Sequence, residues 1–231
     1  MSAPRHPARP AHLLSLLLLV GLPLLGVGLI AEDLLEKERF QFEEPLMTWI
    51  HAHATPALTS VAVFLHHFGG PYVMVPVFLL LAAWLWRRKE RHLANFTLFA
   101  LAGAGILNAA MKLIFNRARP ELWTRIVTEG GASFPSGHSM FAAALSTVLV
   151  LLAWRTRWRL LALTLGLAYT LLMLYSRMLL GVHYPTDVLA GALSGTAWTY
   201  GVYRLMGGRP SKLDAPLTKQ EVASGPLGRS Q

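Results

Sequence analysis

The run ANFTLFALAGAGILNAAMKLIF, from Ala94 to Phe115, holds one charge, Lys112, close to its end. Apolar runs of about 18 or more residues are long enough to cross a bilayer, so this stretch reads as a membrane-spanning helix. Ala102, Gly103, Ala104 and Gly105, with Ala109 and Ala110, give it a small face that lets a neighbouring helix approach closely.

Similar runs lie on both sides: Leu13 to Ala31, Tyr72 to Trp86, His138 to Trp154, Leu160 to Tyr175 and Val188 to Tyr203. Several fall short of a full span and must recruit neighbouring residues as interfacial ends. Ala190, Gly191, Ala192 and Gly195 make the last run small-faced as well. The composition agrees, with 54% hydrophobic and 14% charged residues, where a soluble domain carries roughly 25% charged. The expectation is an all-α, polytopic membrane protein: one six-helix domain over residues 1–206 and a disordered cytoplasmic tail over 207–231, rich in Gly, Pro, Ser and Lys. Leu13 to Ala31 follows Arg5 and Arg9 as a signal peptide would. It is longer than a usual signal core, and Gly26-Val27-Gly28 is a poor cleavage site, so it reads as a retained helix.

Orientation follows from the basic residues. With the N-terminus inside, segments 1–10, 87–93, 155–159 and the chain after 203 hold 14 of the 21 Lys and Arg. Nine of the twelve acids fall on the opposite side. Both termini are therefore expected in the cytoplasm. The net charge of +9 is mostly this topology signal, with some attraction to anionic lipid. Scattered over several loops without a recognition motif, it points to no nucleic-acid partner. Zero cysteines exclude disulfides and thiolate metal sites.

Between the first two runs, residues 32–68 mix acids with aromatic residues. Pro45 to Phe68 has apolar residues at helical spacing, interleaved with His51, His53, His66 and His67. This reads as an amphipathic helix on the outer membrane surface. No carboxylate sits at a telling spacing, so the histidines read as surface groups rather than metal ligands.

Polar residues gather at the outer helix ends: Lys112 with Arg117, Arg119 and Pro120; Phe134-Pro135-Ser136-Gly137-His138-Ser139; Ser176-Arg177; and His183, Pro185 and Asp187. Cations near hydrocarbon are costly, and snorkelling does not explain so many at one level. Lys112 and Arg119 are two turns apart if the helix continues. Arg177 offers a planar fork to phosphate oxygens. Ser136 and Gly137 precede a helix whose free N–H groups welcome an anion. Together they form a phosphate cradle. His183 and Asp187 share a helix face, so the carboxylate can hold one ring nitrogen and leave the other to attack. His138 is the remaining candidate acid or base.

These residues resemble the type 2 phosphatidic acid phosphatases, which share their site with vanadium haloperoxidases. Lys112-x6-Arg119-Pro120, Pro135-Ser136-Gly137-His138 and Ser176-Arg177-x5-His183-x3-Asp187 match the family's three motifs without substitution. The resemblance implies a phosphohistidine mechanism. His183 would be the nucleophile, Asp187 its orienting carboxylate and His138 the acid and base. Lys112, Arg119, Ser136, Gly137 and Arg177 would bind phosphate, with no metal and no cofactor. It further implies a lipid phosphate or diphosphate substrate, such as undecaprenyl diphosphate, phosphatidylglycerol phosphate or phosphatidic acid. The small size and short loops resemble bacterial members and imply an inner (plasma) membrane, and the basic-residue bias puts the site on its extracytoplasmic face. An anion-binding or transport protein is the alternative, disfavoured because binding alone needs no His183–Asp187 pair. A vanadate-dependent peroxidase is disfavoured because haloperoxidases of this type are soluble.

Overall fold

The computed structural model describes residues 10–37 and 40–207, and among these no strand occurs. The tail expected over 207–231 lies outside the described residues from 208 onward. Helix α1 is continuous through three segments, Pro10–Leu16, a π-turn at Leu17–Gly21, and Leu22–Leu35. The π-turn lies just before Pro23, whose missing N–H breaks the regular bonding pattern. Helices α2 (Glu43–Ala52), α3 (Pro56–Phe68), α4 (Pro71–Arg87), α5 (Arg91–Phe115), α6 (Gly137–Ala153), α7 (Arg159–Leu179) and α8 (Pro185–Leu205) follow.

Where one interfacial helix was expected over Pro45 to Phe68, there are two. The chain breaks at His53 to Thr55, and Thr55 caps α3 by accepting from Leu58 N. Pro56 cannot continue the preceding helix but suits a first turn. Helix α3 then leans on α7 and meets α4 at a 58° bend. Gly69 ends one helix, and Gly70 is the extended residue before Pro71.

A helix stands at each of the six expected runs. Length and apolar composition alone qualify three as spans, Leu13–Leu35, Arg91–Phe115 and Arg159–Leu179, or four if the bent α3–α4 pair is one span. Helix α6 is apolar but shorter. Helix α8 keeps its Ser, Thr and Asp residues among neighbouring helices, where hydrocarbon does not reach them. The outer surface is apolar: Ile106 and Leu113 on α5 are 71% and 83% exposed. That distribution suits lipid, and the chain is a multi-pass membrane protein.

The core runs between α4, α5, α6 and α8, through Phe78, Phe96, Ala100, Met140, Ala144 and Val148. The small face of α8 packs closely, as expected, whereas on α5 Ala102, Ala109 and Ala110 are exposed. A Cβ on Gly195 would lie 2.3 Å from Met140 O, and one on Gly191 would lie 2.5 Å from Ser136 O. This contact seats the start of α6 directly against the start of α8. The segment 116–136 has no regular secondary structure, and it folds over that same end of the bundle.

Candidate active site

A cleft of about 210 Å³ opens at this end, lined by Lys112, Arg119, Gly137, His138 and His183 among the expected residues. Arg177, Ser136 and Asp187 stand behind it. Ser136 is the N-cap of α6: its hydroxyl accepts from Ser139 N at 3.4 Å and from the Ser139 hydroxyl at 3.0 Å. Gly137 faces Asn108, whose Oδ1 would be 3.2 Å from an added Cβ. Two geometric expectations are corrected. His183 does not share a helix face with Asp187, because α8 begins at Pro185 and His183 lies in the turn before it. Lys112 and Arg119 do not share a helix, because Asn116 adopts a left-handed conformation (φ 40°) and ends α5. Lys112 bonds Ala132 O instead, and Arg119 reaches the cleft from the loop.

Asp187 is fully buried. Its Oδ2 accepts from Tyr184 N at 2.9 Å and from the Ser133 hydroxyl at 2.5 Å. His183 Nδ1 is 3.6 Å from that same oxygen and 3.3 Å from Ser133 Oγ, so Ser133 bridges the pair. On the far side of the ring, Arg119 Nη1 lies 3.2 Å from His183 Nε2. A guanidinium can only donate, so Nε2 is the acceptor and Nδ1 carries the proton. The Nε2 lone pair therefore points towards the cations of the cleft. Burial pushes the His183 imidazole down to about 4, against the pull of Asp187. Its neutral form is the one able to act as a nucleophile at ordinary pH.

Arg119 also donates to Val182 O at 2.9 Å and to Gly130 O at 2.9 Å, tying the loop to the turn before α8. Arg177 is fully buried. Its Nη2 donates to Glu129 Oε1 at 2.5 Å and its Nη1 lies 2.9 Å from His66 Nδ1. Among the described residues its Nε is buried without a partner. Glu129 was not anticipated as a site residue. Its carboxylate lies between Arg177, Arg119 (3.4 Å) and His138 (3.5 Å), where an oxyanion would sit. Burial raises this carboxyl, yet Arg177, His138, His183 and Arg119 outweigh it and hold it below the usual range.

His138 Nε2 lies 3.0 Å from His66 O. A carbonyl only accepts, so Nε2–H is anchored there and Nδ1 faces Glu129. The two imidazoles stack at 5.4 Å. This corrects the reading of the four histidines as surface groups: His51, His53 and His67 are exposed, but His66 turns into the site. His66, Glu129 and His138 bring ligand atoms within 4.8 Å of one another. Arg177 donates into that cluster, a fixed positive charge that opposes a cation and favours an anion.

Sequence reasoning missed Ser133, Glu129, His66 and the pair Arg117–Glu43, which holds Asp187 from the side opposite His183 at 2.6 Å. Arg117 belonged to the basic cluster already singled out. The others carry no spacing signal.

Comparison with known proteins agrees with this geometry. The sequence model of the PAP2 superfamily matches residues 93–211. An undecaprenyl-diphosphatase of Sulfolobus acidocaldarius is 27% identical over 165 residues, covering 69% of this chain and 76% of that protein. A decaprenylphosphoryl-5-phosphoribose phosphatase of Mycobacterium tuberculosis is 32% identical over 160 residues, covering 67% and 84%. The crystal structure of a transmembrane PAP2-type phosphatidylglycerolphosphate phosphatase from Bacillus subtilis superposes with a TM-score of 0.68 at 25% identity, covering 83% of this chain and 94% of that one.

Proposed function

The chain belongs to the PAP2 superfamily, and from that premise we propose that it is an integral membrane phosphatase that hydrolyses the phosphomonoester or diphosphate of a lipid. The observation that carries this is His183, with Nε2 aimed among Arg119, Lys112 and His138 and Nδ1 backed by Ser133 and Asp187. Similar proteins are named for undecaprenyl diphosphate, a decaprenyl phosphoribose and phosphatidylglycerol phosphate. Their shared feature is a phosphate on a lipid, which a cleft with Lys112 and Arg119 in its lining suits.

In the first step the phosphate displaces the Glu129 carboxylate from Arg177 and Arg119. His183 Nε2 attacks phosphorus, and the bond to the leaving oxygen breaks. His138 enters as imidazolium, with Nε2–H on His66 O and a second proton on Nδ1, delivers the Nδ1 proton to that oxygen and is left neutral. In the second step neutral His138 takes a proton from water. The hydroxide attacks the phosphohistidine, inorganic phosphate leaves and His183 is restored. Lys112, Arg119, Arg177, Ser136, Gly137 and the α6 N-terminus hold the phosphoryl oxygens. Their charge grows towards the transition state, so fixed donors supply the stabilisation a metal would otherwise give. The bundle is proposed to cross the membrane six times, with the cleft extracytoplasmic and both chain ends cytoplasmic.

Purified protein in detergent, given prenyl diphosphates and glycerolipid phosphates, tests this. Inorganic phosphate should be released in EDTA, vanadate should block it, and His183→Ala should release none. Activity lost on chelation and restored by Mg2+ would refute the metal-free mechanism. No release from any lipid phosphate would refute the function.

A further inference from the structure

The carboxylate that backs His183 is itself gripped from the other side. Arg117 Nη1 donates to Asp187 Oδ1 at 2.6 Å and to the Thr186 hydroxyl at 2.8 Å. Its Nη2 donates to Glu43 Oε2 at 2.6 Å. The other Glu43 oxygen accepts from Thr186 N at 3.2 Å and from the Thr186 hydroxyl at 2.5 Å. The Arg117 guanidinium also lies 4.1 Å from the centre of the Tyr184 ring. Glu43 is 3% exposed, on the first turn of α2, a helix the proposed chemistry does not otherwise use. Neither Glu43 nor Arg117 lines the cleft.

A tether alone does not need this arrangement. Two carboxylates and a guanidinium are costly to bury, and well-packed apolar residues often replace such groups with no loss of stability. What an apolar contact cannot do is fix the rotamer and charge of a buried carboxylate. Arg117 occupies Oδ1, which leaves Oδ2 to Ser133 and His183. Glu43 offsets the Arg117 charge, so the guanidinium orients Asp187 without cancelling its effect on the imidazole. We infer that Glu43 and Arg117 are positioning residues for the His183–Asp187 pair, a clamp whose carboxylate comes from the first turn of α2 and whose guanidinium comes from the loop after α5. This rests on His183 being the nucleophile.

The clamp predicts shifts of opposite sign in the pH profile. His183 faces Asp187 from α8, Arg119, Glu129 and Ser133 from the loop, Arg177 from α7 and His138 from α6, and Lys112 lines the same cleft. None of these changes in Glu43 or Arg117 variants. Burial lowers Arg117, but Asp187 and Glu43 outweigh it and keep the side chain cationic. The acidic limb of kcat/KM marks protonation of the free enzyme's base. Removing a nearby cation stabilises imidazolium, and removing an anion destabilises it.

The test is the pH dependence of kcat/KM on a lipid phosphate for wild type, Arg117→Met, Arg117→Lys, Glu43→Gln and the double variant Glu43→Gln/Arg117→Met. Arg117→Met should move the acidic limb up by about one pH unit and lower kcat roughly 10–100-fold, as loss of an orienting partner does. KM should stay within about twofold, since the clamp does not reach the cleft. Glu43→Gln should move the limb down, and the double variant should return it towards wild type. Arg117→Lys should lose kcat with the limb in place. If Arg117→Met does not fold, the remaining single variants still decide. Unmoved limbs in an active wild type whose His183→Ala variant is dead would make the pair a plain tether and overturn the inference. An inactive wild type or an active His183→Ala would instead overturn the phosphatase reading.

Discussion

Arg177→Met should separate what this residue does for folding from what it does for catalysis. The wild-type side chain is fully buried and bonds Glu129 at 2.5 Å and His66 at 2.9 Å. Methionine fills much of the volume but strands the carboxylate, with Arg119 as its nearest remaining guanidinium at 3.4 Å. Breaking one partner of a buried pair costs about 3–5 kcal/mol. Glu129 keeps 15% side-chain exposure, so water relieves part of this, and about 3 kcal/mol is expected. At roughly 2–4 °C per kcal/mol for a chain of this size, Tm should fall by about 6–12 °C. The catalytic loss has another origin, a missing donor to the phosphoryl oxygens, and should be roughly 10²–10³ in kcat. Glu129→Gln/Arg177→Met removes both charges, so it should recover most of the Tm and none of the lost kcat. The assays are thermal unfolding in detergent and phosphate release from one lipid phosphate. If Arg177→Met kept near-normal turnover, Arg177 would only anchor the loop. If the double variant stayed as unstable as the single, the Glu129 pair would not be what the mutation broke.

The two histidines should separate by leaving group. His183→Ala should be inactive on every substrate. On an aryl phosphate, whose phenolate needs little protonation, His138→Ala should give a burst approaching one phenol per enzyme and an acid-labile phosphoryl adduct, and the reverse assignment would show the burst in His183→Ala instead. In wild type, kcat/KM should be level through mildly acid pH and fall only as pH drops towards about 4, because burial holds His183 there and protonation silences it; a limb near the ordinary histidine range of about 6.5 would contradict that burial. For orientation, Glu121→Cys should react with an impermeant maleimide in intact cells and Lys89→Cys should not. Glu121 suits this because its side chain is 89% exposed, whereas Glu129 in the same loop is committed to the cleft. The opposite labelling pattern would invert the topology.

Local chemistry made much of this protein legible from its sequence. Apolar runs bounded by Gly, Pro and basic turns set where the helices lie, because hydrocarbon requires every backbone group to be bonded within its own helix. The motif residues were legible for a related reason, since Pro185 starts a helix whose first turn carries Asp187 and whose preceding turn carries His183. The break at His53 to Thr55 also had a local signal, in Thr55 followed by Pro56, but helical periodicity ran across it. What the sequence could not show was anything decided between segments remote in the chain. Glu129 enters the cleft because the 116–136 loop folds back over the bundle, and Ser133 bridges His183 and Asp187 from 50 and 54 residues away. His66 turns inward because α3 leans on α7, and Glu43 reaches Thr186 across 143 residues. The end of α5 at Asn116 likewise overrode the expected helical register of Lys112 and Arg119. The physical reason is the same throughout. A buried charge must find its partners wherever packing brings them, and packing is a property of the whole bundle rather than of any window of sequence.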